Sequence, residues 1–131
     1  MDRAARLLHS RPMRDSSDSA PSFYEFFAGG GMVRAGLGTD WTRRVANDFD
    51  AKKGFSYQAN WGTDGELTVG DIRALEAAQL PGTADMMWGS FPCQDLSLAG
   101  AMSAFSVSRS SLFRQWLRVM DELPEKPAIA V

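Results

Sequence analysis

A run of aromatic residues that leads into three consecutive glycines is the feature that most constrains the fold of this chain. Residues 22–27 (SFYEFF) have the length and composition of a strand, and residues 29–31 are all glycine. Residues 32–37 have the character of the first turns of a helix. A strand, a glycine turn and a helix in this order let backbone amides at the helix N-terminus approach a ligand closely.

The same alternation of strand and helix continues along the chain. Further strands are predicted at residues 43–48, 67–70 and 84–89, and the start of a fifth, buried strand at 127–131. Helices are predicted at residues 72–79 and 112–123, and residues 51–60 form either a short helix or a loop. This order specifies a parallel three-layer α/β sheet that binds ligands at the carboxyl ends of its strands. Residues 90–110 show no clear element and are interpreted as a loop that is functional or mobile.

The composition excludes several kinds of catalytic and metal site. The chain has one cysteine, Cys93, and one histidine, His9, which excludes internal disulfides, Cys/His zinc sites and Ser-His-Asp or Cys-His arrangements within it. The formal net charge of -2 does not indicate a protein that binds a polyanion over its whole surface. No apolar run reaches the roughly 20 residues that span a bilayer, and residues 1–21 lack the apolar core of a secretory signal. We therefore expect a flexible leader on a cytoplasmic protein that binds neither membrane nor metal.

The glycine turn departs from the dinucleotide-binding pattern. That pattern requires a glycine at position 34, where this chain has Arg34. The departure is compatible with a ligand that has no pyrophosphate, such as S-adenosyl-L-methionine, whose amino-acid end can meet the loop; a plain tight turn is the alternative. The mismatch and the lack of an acid-base histidine disfavour an NAD-dependent oxidoreductase.

Two acidic residues that follow predicted strands are candidates for nucleoside binding. Asp48 ends the second strand and can accept hydrogen bonds from a ribose diol, with Asp50 as the competing candidate; a helix N-cap or a solvated loop carboxylate is the alternative. Asp71 follows the third strand and can accept from an adenine amino group, cap the next helix, or do both. Phe49 can pack on an adenine ring or lie in the core.

Cys93 lies in the segment GSFPCQ, directly after a predicted buried strand. A lone cysteine is most often a small core residue. The strand end and the rigid Pro92 instead favour a thiol that points into the expected ligand crevice. A thiol with a pKa of about 8.5 is only a few per cent thiolate at neutral pH, so a nucleophilic role requires a local donor or cation.

Three arginines lie in and after the loop: Arg109, Arg114 and Arg118. They can face phosphates, or they can form the solvated face of a helix. Arg109 precedes the predicted helix and is the most suggestive of the three.

Four segments, in a fixed order, resemble the N-terminal half of the DNA cytosine-5 methyltransferases. They are EFFAGGG at 25–31 with Gly-Leu at 36–37, NDFD at 47–50, GDI at 70–72 and GSFPCQDLSLAG at 89–100. The resemblance covers residues 23–131, and the Pro-Cys-Gln block is its most specific part. It implies a Rossmann-like S-adenosylmethionine-dependent methyltransferase sheet with the first strand central, of which this chain supplies strands one to four and the start of five.

The resemblance also implies a role for each candidate. Cys93 attacks C6 of a cytosine flipped out of double-stranded DNA, C5 takes the methyl group of S-adenosyl-L-methionine, and loss of the C5 proton expels the thiol. The implied cofactor-binding residues are Phe27, Ala28, Gly29, Gly31, Asp48, Phe49, Asp71, Ile72 and Pro92. The implied DNA-binding residues are Gln94, Ser97 and Arg109.

The same resemblance places further parts of the enzyme beyond residue 131. The family's Glu-Asn-Val segment and target-recognition domain are expected there, so residues 22–131 are predicted to be inactive without a C-terminal half or a complementary subunit. In a bacterium we expect association with the nucleoid. The alternative is a catalytically dead remnant or a regulatory DNA-binding subunit. Departures from the family pattern are Glu25, Phe26, Met32, Phe91 and Ser110.

Overall fold

The computed structural model describes residues 20–63, 65–91 and 109–131. Its strands are β1 (Ser22–Phe26), β2 (Thr42–Asp48), β3 (Leu67–Val69), β4 (Met86–Gly89) and β5 (Ile129–Ala130). Its α-helices are α1 (Met32–Leu37), α2 (Ala51–Trp61) and α3 (Arg109–Glu122). The strands form one parallel sheet in the order β3-β2-β1-β4-β5, which confirms the predicted α/β class with the first strand central.

Strand β1 is the centre of the fold because it pairs on both sides and all five of its residues are buried. Two hydrogen bonds that involve side chains join β1 to residues 82–85, which precede β4. The backbone N–H of Ser22 donates to Oδ2 of Asp85 at 2.8 Å, and the Tyr24 hydroxyl donates to the carbonyl of Gly82 at 2.7 Å. These bonds satisfy polar groups that burial would otherwise leave unpaired.

Helices cover both faces of the sheet. Val45 and Ala46 are successive residues of β2, so their side chains point to opposite faces. Val45 belongs to the apolar cluster that contains Trp116 of α3, whereas Ala46 belongs to a smaller cluster with Tyr57 of α2. The architecture is therefore the predicted three layers, with a large core under α3 and a small one under α2.

Residues 51–60, which the sequence left open between helix and loop, lie within α2. Its N-cap is Asp50, whose Oδ1 accepts from the backbone N–H of Lys52 at 2.8 Å. A carboxylate in this position satisfies an amide that the first helical turn cannot, so the local sequence favours a helix start here.

The predicted helix at residues 72–79 is wrong. The segment forms two single 3-10 turns, Ile72–Ala74 and Ala77–Gln79, and each begins at its own acidic N-cap. Leu75 between them is extended, with φ -81° and ψ 130°. In one continuous α-helix Ala77 would lie roughly 140° around the axis from Ile72, whereas the broken segment buries both in the same cluster.

The predicted burial of the fifth strand is also wrong. Ile129 and Val131 are 45% and 49% exposed, because β5 is an edge strand and no described segment covers it. None of the helices in the described part of the chain is long and apolar enough to cross a membrane.

Candidate functional site

The carboxyl ends of four neighbouring parallel strands meet at one edge of the sheet. Phe26 of β1 is paired with Asn47 of β2 and with Gly89 of β4, and Asp48 is paired with Val69 of β3. The glycine turn, Asp48 and the Asp71 segment therefore emerge side by side. This is the edge at which parallel α/β sheets bind ligands.

The turn after β1 has an unusual backbone. Phe27 has φ 57° although it is not a glycine, and Gly29 and Gly31 have φ 55° and 85°. The N–H of Ala28 donates to the carbonyl of Asn47 at 3.0 Å, so the turn is still attached to β2. A non-glycine residue in the left-handed region is strained, and it persists only where the surroundings determine it.

Asp48 helps to hold the turn in this conformation. Its side chain is buried; Oδ2 accepts from the N–H of Gly29 at 2.8 Å, and Oδ1 accepts from the N–H of Asp50 at 2.8 Å. The carboxylate thus links the end of β2 to the glycine turn. Each oxygen retains a second lone pair, so the bonds to the backbone leave capacity for a further donor such as a ribose hydroxyl.

Trp61, at the end of α2, is a site residue that the sequence analysis missed. Its Nε1 donates to the carbonyl of Gly30 at 2.9 Å, and a Cβ placed on Gly31 would overlap the indole ring. The guanidinium of Arg34 lies 4.5 Å from the ring centroid. The only sequence signal is an aromatic residue at a helix end, about 30 residues from the turn that it contacts.

Asp71 has the capping role that the sequence offered as one of its alternatives. Its Oδ1 accepts from the backbone N–H of Arg73 at 2.9 Å, and its carboxylate forms an ion pair with the Arg73 side chain at 2.8 Å. These hydrogen bonds lower the pKa of Asp71, so it is an anionic acceptor at neutral pH. Ile72, the next residue, has its side chain buried in the larger core.

An aromatic residue directly follows each of β1 and β2 at this edge of the sheet. Phe49 is 70% exposed beside Asp48, so its ring is available to stack on a ligand. Phe27 packs on Phe91 with ring centroids 5.0 Å apart, and Phe91 in turn contacts Trp116 of α3 at 5.7 Å. The chain therefore leaves β4 through an aromatic cluster that also contacts the turn.

Glu25 is an ionisable group buried directly beneath this edge. It is fully buried in β1, and neither carboxylate oxygen makes a well-aligned hydrogen bond within the described residues. Burial raises the pKa of Glu25 to about 7; the backbone N–H groups of Val33 and Arg34 and the cation of Arg43 offset only part of the rise. Arg43 itself contacts the hydroxyl of Tyr57 and the carboxylate of Glu66.

Several predicted site residues lie outside the described part of the chain. These are Pro92, Cys93, Gln94 and Ser97. Arg109 is the first residue of α3. Ala28 is buried in the smaller cluster beside the turn. Within the described residues, no group of three or more His, Cys, Asp or Glu side chains can hold a metal ion.

The groups at this edge fit the chemistry of S-adenosylmethionine. Asp48 offers acceptors for a ribose diol, Phe49 offers an exposed ring for adenine, and Asp71 offers an acceptor for the adenine amino group. The glycine turn brings the backbone close to any ligand that lies over it. Four kinds of contact that such a ligand needs are thus adjacent.

Comparison with known proteins identifies the family of this arrangement. Residues 22–129 match the model of the C-5 cytosine-specific DNA methylases. The chain is 37% identical over 100 residues to the Type II methyltransferase M.HgiBI of Herpetosiphon aurantiacus, a match that covers 75% of this chain and 22% of that protein. It is 36% identical to M.NlaX of Neisseria lactamica over 106 residues, covering 79% of this chain and 32% of that protein.

Solved structures show the same fold. The methyltransferase EhMeth of Entamoeba histolytica aligns with a TM-score of 0.70 at 19% identity, covering 87% of this chain and 39% of that one. The Dnmt2 methyltransferase of S. pombe aligns with a TM-score of 0.62 at 20% identity, covering 85% and 36%. The chain therefore spans less than half the length of each of these four proteins.

Proposed function

The chain belongs to the C-5 cytosine-specific DNA methylase family, and on that premise we propose that it forms the cofactor-binding and nucleophile-bearing part of a DNA cytosine-5 methyltransferase. The observation that carries the proposal is the bond from the Gly29 N–H to Asp48, because it joins two predicted cofactor residues at the ligand-binding edge of the sheet. Both residues lie inside the matched range.

The described residues would hold S-adenosylmethionine by its two ends. Asp48 binds the ribose, Phe49 stacks on the adenine, and Asp71 accepts from the adenine amino group. Backbone amides of the glycine turn, with Phe27 and Gly29, face the amino-acid end. When bound, the cofactor supplies an electrophilic methyl group on a sulfonium.

Cys93 is the proposed nucleophile. Its sulfur forms a bond to C6 of a cytosine that has been flipped out of duplex DNA, which makes C5 electron-rich enough to take the methyl group. Loss of the C5 proton then re-forms the C5–C6 double bond and expels the thiolate, so the enzyme is regenerated. Pro92 shapes the pocket, and Gln94, Ser97 and Arg109 contact the DNA.

The chain alone is proposed to be inactive. It spans 22% to 32% of the two relatives given above, which leaves most of a methyltransferase to a C-terminal half or a complementary subunit. Residues 22–131 would then be the N-terminal part of the catalytic domain, and residues 1–21 a leader.

Methyl transfer to unmethylated duplex DNA tests the proposal. We expect no transfer by the isolated chain, transfer by the protein that joins it to a C-terminal half, and no transfer by the same protein with Cys93→Ala. A covalent adduct with a 5-fluorocytosine oligonucleotide should form at Cys93. Transfer by the Cys93→Ala protein would overturn the assignment, and a complete protein that binds DNA without adduct or transfer would be the regulatory remnant instead.

A further inference from the structure

Arg118 on α3 has a guanidinium that its own helix holds in one orientation. Nε donates to Oε1 of Gln115 at 2.6 Å, and Nη1 donates to Oε2 of Glu122 at 2.9 Å. The two acceptors lie three residues before and four residues after Arg118, which are its neighbours on the helix surface. The side chain is only 31% exposed, so solvent does not fully screen these bonds.

The remaining nitrogen of this guanidinium reaches a different part of the fold. Nη2 donates to the carbonyl of Ile72 at 3.0 Å and to the carbonyl of Leu75 at 2.9 Å. Ile72 is the first residue of the 3-10 turn that follows Asp71, and Leu75 comes directly after that turn. Since Leu75 is extended, its carbonyl does not continue a helix, and a side-chain donor satisfies it instead.

Through this contact α3 supports the turn that carries Asp71, although Arg118 itself contacts no ligand. A single nitrogen, Nη2, binds two carbonyls of a turn that has two 3-10 hydrogen bonds of its own, from the N–H of Ala74 to the carbonyl of Asp71 at 3.0 Å and from the N–H of Leu75 to the carbonyl of Ile72 at 3.2 Å. The Asp71 carboxylate caps that turn, so its direction depends on the turn. A lysine cannot reproduce all four bonds, because its ammonium has three N–H donors and no planar fork.

We propose that Arg118 is a positioning residue, which clamps the turn at residues 71–75 to α3 and so orients Asp71 toward the adenine of the cofactor. The adenine part of this inference rests on the proposed function. The clamp also replaces the phosphate-facing role that the sequence offered for Arg118, because four of its N–H directions are already used within the protein. 

Hydrogen exchange of the backbone amides tests the clamp without any ligand. Arg118→Met keeps the aliphatic stem but removes every donor, and Arg114→Met is the matched control because Arg114 is exposed on the same helix. At a temperature where all variants are folded, we expect exchange in residues 71–80 to rise about tenfold in Arg118→Met and in Arg118→Lys, and not in Arg114→Met. Residues 22–31 should be unchanged in all three. Unchanged exchange in residues 71–80 would overturn the clamp.

Calorimetric titration tests the positioning role. We expect Arg118→Met to weaken binding of S-adenosylmethionine and of 5′-methylthioadenosine by the same factor, about tenfold, because the loss is at the adenine end that both ligands share. Faster exchange with unchanged affinity would reduce Arg118 to a structural role and overturn the inference. If the wild-type chain binds neither ligand, the proposed cofactor site fails, and the exchange experiment still decides whether the clamp exists.

Discussion

The backbone N–H of Gly29 donates a 2.8 Å hydrogen bond to Oδ2 of Asp48. The two residues are 19 positions apart and lie on the loops that follow neighbouring strands. The bond means that an acid expected to bind ribose also shapes the turn expected to bind the rest of the cofactor. Changes at Asp48 should therefore affect stability and ligand binding together.

Asp48→Ala should lower the free energy of unfolding by about 1 to 3 kcal/mol, because the partly buried N–H groups of Gly29 and Asp50 lose their acceptor. It should also abolish measurable S-adenosylmethionine binding. Chemical denaturation and calorimetric titration measure the two effects. Asp50→Asn is the control: asparagine is an equally good N-cap, so both quantities should stay within a few tenths of a kcal/mol. A stable, ligand-binding Asp48→Ala variant would contradict the assignment.

Gly31→Ala should destabilise the protein by about 2 to 4 kcal/mol. The new Cβ would be strained at φ 85° and would overlap the indole of Trp61. Gly36→Ala is the matched change in α1, where a Cβ meets no atom within 4 Å. It should be neutral or stabilise by about 0.5 to 1 kcal/mol, since alanine is the better helix former. Thermal unfolding compares them, and equal effects at the two positions would refute the packing argument.

Phe49→Ala should separate binding from stability. The ring is 70% exposed, so the free energy of unfolding should change by less than about 0.5 kcal/mol. Loss of stacking should weaken S-adenosylmethionine binding by about 1 to 2 kcal/mol. Phe55→Ala, at a ring that is 78% exposed on α2, should change neither quantity. Equal affinities for the two variants would remove Phe49 from the proposed site.

Glu25 should make the protein less stable as the pH rises. Its pKa is about 7 in the folded state and 4.5 without burial, so the folded state binds more protons between these values. The free energy of unfolding should therefore fall by on the order of 2 to 3 kcal/mol from pH 4.5 to 7, and the loss should be complete above that range. Arg34, Arg43 and Tyr57 are the charged or titratable side chains near this carboxyl; burial raises the pKa of Tyr57 above its ordinary value, so Tyr57 does not titrate in this window.

Glu25→Gln removes that titration. The difference in unfolding free energy between this variant and the wild type should grow from pH 5 to pH 8, as measured by urea denaturation at each pH. Glu125→Gln, at an exposed site, should follow the wild type at every pH. Parallel curves for Glu25→Gln and the wild type would show that the carboxyl is not desolvated.

The family and the order of strands and helices were predictable because their signals are local. An aromatic run followed by glycines, an acid after an apolar run, and a Pro-Cys-Gln block can each be recognised without knowing which segments touch. The family and the parallel order of the strands are confirmed, whereas the helix at residues 72–79 is not, and the roles of Cys93, the cofactor-binding residues and the DNA-contacting residues stay predictions. The prediction of a helix at residues 72–79 failed because the composition of this segment suits a helix. The segment is instead broken in two, which lets both Ile72 and Ala77 lie in one cluster.

By itself, the sequence determined where the strands lie along the chain, which acidic residues follow strands, and which family the chain resembles. The tertiary structure alone decided that Trp61 donates to Gly30, that Arg118 holds the turn after Asp71, and that Glu25 is buried with a raised pKa. The reason is physical. Secondary-structure propensity and helix capping depend on residues that are close together in the sequence. Desolvation, and hydrogen bonds between residues 31 or 46 positions apart, exist only after the layers have packed.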